Sequence, residues 1–422
     1  MRNGRKSDEV SCAKCGTCNT VCPVYLVTGN EIHTPRGKQH LQSKLERGEM
    51  SAHYAEIFSQ CLLCGACREI CPRNLDTPEL VMRVRAELPR FSGYSFLSYL
   101  SRKALVHPLL LSGLTRIGGV ANTLLGSWLP QESGMHLRLQ GFDREALPLP
   151  EKGYLEKVKA EMASGVWHLQ TGQEEVQIGF FTGCFANHLQ PEIAEATQSL
   201  LQKSCGGKAV VPLAQTCCGM AALAAGRADE ARALARRNIM AFEANDFPIL
   251  TSCSSCYFQL KSYPELFADN PEWRDRAGSF ADRLREFSTF FLETFTAAGS
   301  NLFKVKAPTP AKVFYHDPCH LRFKLHITKE PRQLLQLLPG VEFQDLPDGP
   351  KCCGHGGLFH LAHPDLALKI QTELMADFET LKVQTVLTAC SGCLLQWQSR
   401  MMADTHQRKA EHLAVFIARL LQ

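Results

Sequence analysis

The sequence predicts a mixed α+β and α/β chain in which a small helical, cysteine-rich module precedes two tandem α/β units related by an approximate twofold axis. Two near-identical cysteine runs occupy residues 12–23 and 61–72, and the later cysteines fall into two equally spaced sets. Each later set is threaded by alternating strand-like and helix-like segments, the pattern of a parallel sheet covered by helices. The boundaries expected are 1–90 for the cysteine-rich module, 91–172 for a helical connector and linker, 173–300 for the first α/β unit and 301–422 for the second.

The two runs read Cys12-x2-Cys15-x2-Cys18-x3-Cys22-Pro23 and Cys61-x2-Cys64-x2-Cys67-x3-Cys71-Pro72. This is the spacing of two-cluster bacterial ferredoxins, in which three thiolates of a run hold one cubane 4Fe-4S cluster and the fourth crosses to the other. Cys12, Cys15, Cys18 and Cys71 are therefore expected on one cluster, and Cys61, Cys64, Cys67 and Cys22 on the second. Zinc also accepts paired C-x2-C thiolates, but a tetrahedral site rarely needs the third and fourth cysteine of each run. A disulfide framework suits neither the length nor the compartment. Electron transfer is the function this module implies.

Composition is ordinary for a globular protein: 422 residues, 45% hydrophobic, 21% charged. The net charge of +4 is spread without a polybasic block, so nucleic acid is not suggested. The opening MRNGRKSDEVSC shows no export signal, and nineteen cysteines without export imply metal ligands in a reducing cytoplasm. No apolar run reaches membrane-spanning length. The stretch from Phe96 to Pro130 is the most hydrophobic and reads as two amphipathic helices broken near Pro108. They either pack on the rest of the chain or face a membrane surface or quinone. Gly141 to Gly165, with Pro148 and Pro150, reads as a linker.

Beyond it lies a duplication. The first copy has Cys184, then Cys217-Cys218-Gly219, then Cys253-x2-Cys256; the second has Cys319, then Cys352-Cys353-Gly354, then Cys390-x2-Cys393. The single cysteine precedes the pair by 33 residues in both copies, and the pair precedes the C-x2-C by 35 and 37. Single cysteines follow the strand-like runs VQIGFF and KVFY, and the C-x2-C pairs follow FPILTS and TVLTA. Cysteines at the carboxyl ends of parallel strands sit where open α/β sheets bind ligands, so five thiolates are expected to converge in each copy. Five exceed what a mononuclear zinc site or one cubane cluster uses.

On these residues each copy resembles the cysteine-rich CCG domains of heterodisulfide reductase catalytic subunits and glycolate oxidase iron-sulfur subunits. That resemblance implies a noncubane 4Fe-4S cluster held by all five cysteines, hence one or two further clusters beyond the cubane pair. The order of modules, and the segment CAKCGTCNTVCPVYLVTGNEIHTPRGKQHL with Thr34-Pro35-Arg36-Gly37, resembles glycolate oxidase and D-lactate dehydrogenase iron-sulfur subunits over nearly the whole chain. Similar layouts occur in anaerobic glycerol-3-phosphate dehydrogenase iron-sulfur subunits and in fused heterodisulfide reductase subunits.

No G-x-G-x-x-G follows a strand, so no nucleotide or flavin site of the Rossmann type is read, and no C-x2-C is followed by histidine as c-type haem requires. Oxidation of a 2-hydroxy acid delivers two electrons as a hydride, which needs a cofactor such as flavin. The resemblance therefore implies an FAD-containing 2-hydroxyacid dehydrogenase partner, with this chain relaying electrons to a quinone or other carrier, in the cytoplasm and peripherally at the inner membrane. The competing class is a catalytic reductase that cleaves a disulfide at a noncubane cluster. No catalytic residue is assigned.

His316 and His320 flank Asp317-Pro318-Cys319, and His355 follows Gly354; they read either as donors and proton carriers at a cluster or as ordinary hydrogen-bonded histidines. The first copy has Phe181 and Phe185 in place of His316 and His320, so the two sites are chemically unequal. Cys205 precedes Gly206-Gly207 at an expected helix end and reads as a plain thiol. Arg36, Lys38 and Lys44 read as a solvated helix face, or as cations that steer a partner or tune a cluster.

Overall fold

The computed structural model describes residues 11–45, 52–88, 96–107, 113, 150, 152–164, 177–299, 311–401 and 408–421. The N-terminal module is helical, with helices Pro23–Thr28, Pro35–Leu45, Ala52–Ser59, Ala66–Glu69 and Thr77–Glu87. Asp76 caps the last of these by accepting from Glu79 N at 3.0 Å, and Pro78 lies in its first turn, where a missing N–H costs nothing. Ile57, Phe58, Leu80, Val81 and Val84 form its core. The two cysteine runs repeat their backbone: Lys14 and Leu63 have φ of 57° and 58°, and Gly16 and Gly65 have φ of 81° and 89°. Paired left-handed residues curl each loop around its thiols.

Two four-stranded parallel sheets follow. The first contains β1 (Gln177–Phe181), β2 (Lys208–Val210), β3 (Ile249–Thr251) and β4 (Leu284–Glu286) in the order β2-β1-β3-β4. The second contains β5 (Ala311–Tyr315), β6 (Val341–Gln344), β7 (Thr385–Thr388) and β8 (Lys409–His412) in the order β6-β5-β7-β8. The topologies are identical. Helices cover the sheets, so β3 and β7 are buried at every residue, which explains their continuous apolar reading rather than an alternating one.

The repeats pack reciprocally. Helix Pro191–Cys205, after β1, lies against Leu413–Leu420, after β8; the equivalent Glu330–Gln336, after β5, lies against Phe287–Ala298, after β4. Their side chains form one shared core that runs from Phe180 and Leu200 to Val313, Leu334 and Trp397. This is the expected twofold relation, and the α+β and α/β class holds.

One expectation needs correction. Within the Gly141–Gly165 stretch read as linker, Tyr154–Ala163 is a helix. Tyr154 and Val158, four residues apart on one face, are buried in the core of the first repeat, and Leu155 N donates to Asn187 Oδ1 at 2.8 Å. The prolines that signalled a linker, Pro148 and Pro150, precede the helix rather than interrupt it. Of the two amphipathic helices, Phe96–Val106 is present, and Arg102 anchors it to Glu230; the second lies outside the described residues. No helix among the described residues is long and apolar enough to cross a membrane.

Candidate metal centres

The helical module brings its eight cysteines into two groups. Cys12, Cys15, Cys18 and Cys71 line one cavity together with Cys67, and Cys22, Cys61, Cys64 and Cys67 line a second. The fourth cysteine of each run thus lies with the other run's loop. Cys15 is exposed and Cys64 is buried, so the first group faces solvent and the second faces inward. Lys14 N points at Cys12 Sγ from 3.4 Å, the orientation that stabilises a thiolate.

Of the basic residues near this module, Lys38 is not on a solvated face. It is 2% exposed and donates from Nζ to the carbonyls of His33 and, at 3.4 Å, of Gln60. Burial lowers its pKa, while the nearby Cys61 and Cys22 favour its charged form. Arg36 pairs with Glu31 and reaches Lys14 O at 3.2 Å, bracing the first cysteine loop. Lys44 ends its helix with partial exposure.

In each repeat the five cysteines come together at the carboxyl ends of the central strands, where the strand order reverses. Cys184 and Cys253 follow β1 and β3; Cys319 and Cys390 follow β5 and β7. Gly219 and Gly354 have φ of 90° and 83°, turning the chain directly from each cysteine pair into the next segment. A Cβ at Gly354 would lie 2.8 Å from Ala367 O. The thiols neighbour one another in the same order in both copies, Cys184–Cys217–Cys218–Cys256–Cys253 and Cys319–Cys352–Cys353–Cys393–Cys390. Cys253 and Cys390 also neighbour each other, which joins the two sets. Neighbouring thiols hold Cys217, Cys253 and Cys352 well below the usual thiol range, and the adjacent Cys184 and Cys319 are pushed up. Thiolate is the ligating form, and so dense a buried sulfur set fits an iron-sulfur cluster in each repeat.

The second repeat also abuts the helical module. Cys64 feels the charge of Cys352, and Cys319 that of Cys64. Lys324 Nζ pairs with Asp76 at 3.1 Å, and Ser59 Oγ bonds His363 Nε2 at 2.9 Å across the same boundary.

His316 places a ring nitrogen within 4.8 Å of the sulfurs of both Cys353 and Cys393. His320 stacks on Phe258 with 4.9 Å between centroids and contacts Ser255 Oγ at 3.1 Å. Burial depresses both to about 4, so both are neutral near pH 7. His355 accepts from Gly357 N at 3.2 Å through Nδ1, and its buried Nε2 has no hydrogen-bond partner among the described residues. Phe181 is fully buried and Phe185 nearly so, giving the first repeat an apolar rim in place of imidazoles. Cys205 stands apart: its thiol donates to Leu201 O at 3.2 Å, and Gly206 ends the helix in the left-handed conformation. Sequence reasoning missed Ser255, a polar group from one repeat at the other repeat's site, because only the tertiary fold brings it there.

Comparison with known proteins accords with this geometry. A 4Fe-4S dicluster domain model matches residues 10–75, and a cysteine-rich domain model matches 178–261 and again 313–398. A probable glycolate oxidase iron-sulfur subunit of Bacillus subtilis is 30% identical over 426 residues, with 97% of this chain and 93% of that protein aligned. The chain belongs to the glycolate oxidase iron-sulfur subunit family. Lactate utilization protein A of an Exiguobacterium species is 30% identical over 238 residues, 56% of this chain and 95% of its own. A hypothetical protein from Helicobacter pylori has a similar fold, with a TM-score of 0.55 at 8% identity over 92% of this chain and 67% of its own. Membership of the glycolate oxidase iron-sulfur subunit family makes this an iron-sulfur electron-transfer protein that uses 4Fe-4S clusters.

Proposed function

We propose that the chain is the electron-transfer subunit of an FAD-dependent 2-hydroxyacid dehydrogenase acting on glycolate or D-lactate, relaying electrons from the flavoprotein to a quinone or another carrier. Iron-sulfur clusters accept and release single electrons, which splits the flavin's two-electron load. Cys12, Cys15, Cys18 and Cys71 hold one cubane cluster, and Cys61, Cys64, Cys67 and Cys22 hold the other. Cys184, Cys217, Cys218, Cys253 and Cys256 form the ligand set of the first repeat; Cys319, Cys352, Cys353, Cys390 and Cys393 form that of the second.

One arrangement supports this reading: Cys15 is exposed, Cys64 is buried beside Cys352 of the second repeat, and Cys390 of that repeat neighbours Cys253 of the first. That succession orders the sites. The partner docks at the Cys15 end, the second repeat receives electrons from the helical module, and the first repeat lies beyond it. The cytoplasm, with peripheral contact to the inner membrane through partners, is the location this role requires.

Anaerobic co-purification from the native cell tests the assignment. A large FAD protein that oxidises glycolate or D-lactate is expected with the chain. Isolation with a disulfide reductase complex, or with a glycerol-3-phosphate dehydrogenase, would refute it.

A further inference from the structure

The second repeat contains a cavity of about 320 Å³ that the cysteine sites do not use. Its volume is at the lower end of the roughly 300–1,000 Å³ usual for small-molecule sites. Four cations line it, Arg322, Lys329, Arg332 and Lys351, against two carboxylates, Asp317 and Asp345.

Both carboxylates are engaged by one cation. Arg332 forks to Asp317 at 2.9 and 2.6 Å and to Asp345 at the same two distances. Lys351 pairs with Asp377. Arg322 is left underused: its guanidinium approaches Asp317 only to 3.9 Å, and its buried Nε has no hydrogen-bond partner among the described residues. Lys329 stands exposed at the mouth. Phe314 and Leu346 supply an apolar wall. Excess positive charge, an unsatisfied guanidinium and a short apolar face together suit a small organic carboxylate.

The inner wall is His316, whose ring nitrogen lies within 4.8 Å of the Cys353 and Cys393 sulfurs. An anion in the cavity is therefore one side chain away from the second cysteine site. Fixed negative charge at that range opposes the addition of an electron.

We propose that this cavity binds a small organic carboxylate through Arg322 and Lys329, and that its occupancy lowers the reduction potential of the second-repeat site. By linkage the carboxylate binds the oxidised protein more tightly than the reduced one. A 2-hydroxy or 2-oxo acid bound here would slow electron entry into the second repeat as it accumulates. The redox half rests on the reading of the second repeat as a cluster site, whereas the binding half stands on the cavity alone.

Calorimetric titration of the anaerobically purified full chain with glycolate and with glyoxylate tests binding, and inorganic phosphate serves as the competing anion. Saturable binding is expected, weakened about tenfold or more by Arg322→Gln and by Lys329→Ala, as for loss of one charge-assisted contact. Lys329 is exposed, so its variant keeps the test valid if Arg322→Gln misfolds. No saturable heat, equal affinity in Lys329→Ala, or equally tight binding of phosphate would overturn the site. A redox titration followed by electron paramagnetic resonance tests the coupling: glyoxylate should lower the second-repeat potential in the native chain, and Lys329→Ala should need about tenfold more glyoxylate for the same shift. An unchanged potential at saturation would overturn the coupling. Iron and sulfide counts on the same samples separate that failure from loss of the clusters.

Discussion

The hydroxyl of Ser255, in the first repeat, lies 3.2 Å from the sulfur of Cys390 in the second and 3.1 Å from Nδ1 of His320. The second repeat therefore does not complete its own site: it takes a polar neighbour from the first. A hydrogen bond donated to a ligating sulfur stabilises the reduced state. Ser255→Ala should leave iron content unchanged and lower the second-repeat potential by on the order of tens of millivolts, the equivalent of about 1 kcal/mol. Redox titration with metal analysis checks both halves.

Lys38 buries a cation beside Cys22 and Cys61. Positive charge close to a cluster eases its reduction, so Lys38→Met should lower the potential of the inner cluster of the helical module and spare the outer one. The check is a redox titration in which one of the two cluster signals shifts to lower potential while the other keeps its native midpoint. Equal displacement of both signals would count against a local effect.

Arg85, 1% exposed, donates to the carbonyls of Phe58, Ser59, Cys61 and Ala224. It ties the second cysteine loop to the first repeat, and Gly226 makes room for the contact, since a Cβ there would lie 2.6 Å from Arg85 O. Arg85→Ala strands several buried acceptors and should cost about 3 kcal/mol or more. Arg85→Lys should recover only part of this, because an ammonium cannot span the same fork. Denaturant midpoints of both variants provide the measurement.

Burial depresses His363 to about 4 in the folded chain from an ordinary 6.5, where it bonds Ser59 across the boundary of the helical module. As the pH falls the unfolded chain takes up this proton first. Its contribution to stability is full above about 6.5, declines toward 4 and is level below that. His363 is partly solvated, so the loss is on the order of 1 kcal/mol. His363→Gln should show a shallower fall in urea midpoint between pH 7 and pH 5 than the native chain.

The parts of this architecture that the sequence disclosed are those with local signatures. The C-x2-C-x2-C-x3-C-P runs and the duplicated 33-residue spacing marked every cysteine that converges, and the β-branched and aromatic runs before Cys184, Cys253, Cys319 and Cys390 marked the central strands. Strands β2, Lys-Ala-Val, and β4, Leu-Arg-Glu, are three residues each and lack the apolar run before a cysteine that marked the equally short β3. The burial of Lys38 was illegible because its helix carries charged neighbours, and only packing against the second cysteine loop removes it from solvent. The Cys253–Cys390 and Cys64–Cys352 juxtapositions join residues far apart in the chain, so no spacing rule encodes them.

Electron paramagnetic resonance of the chain mixed anaerobically with its co-purified flavoprotein, before and after addition of glycolate or D-lactate, tests the relay most directly. Signals of reduced 4Fe-4S clusters should arise only when flavoprotein and hydroxy acid are both present. Turnover of the flavoprotein with an artificial dye, while the clusters of this chain stay oxidised, would contradict the relay.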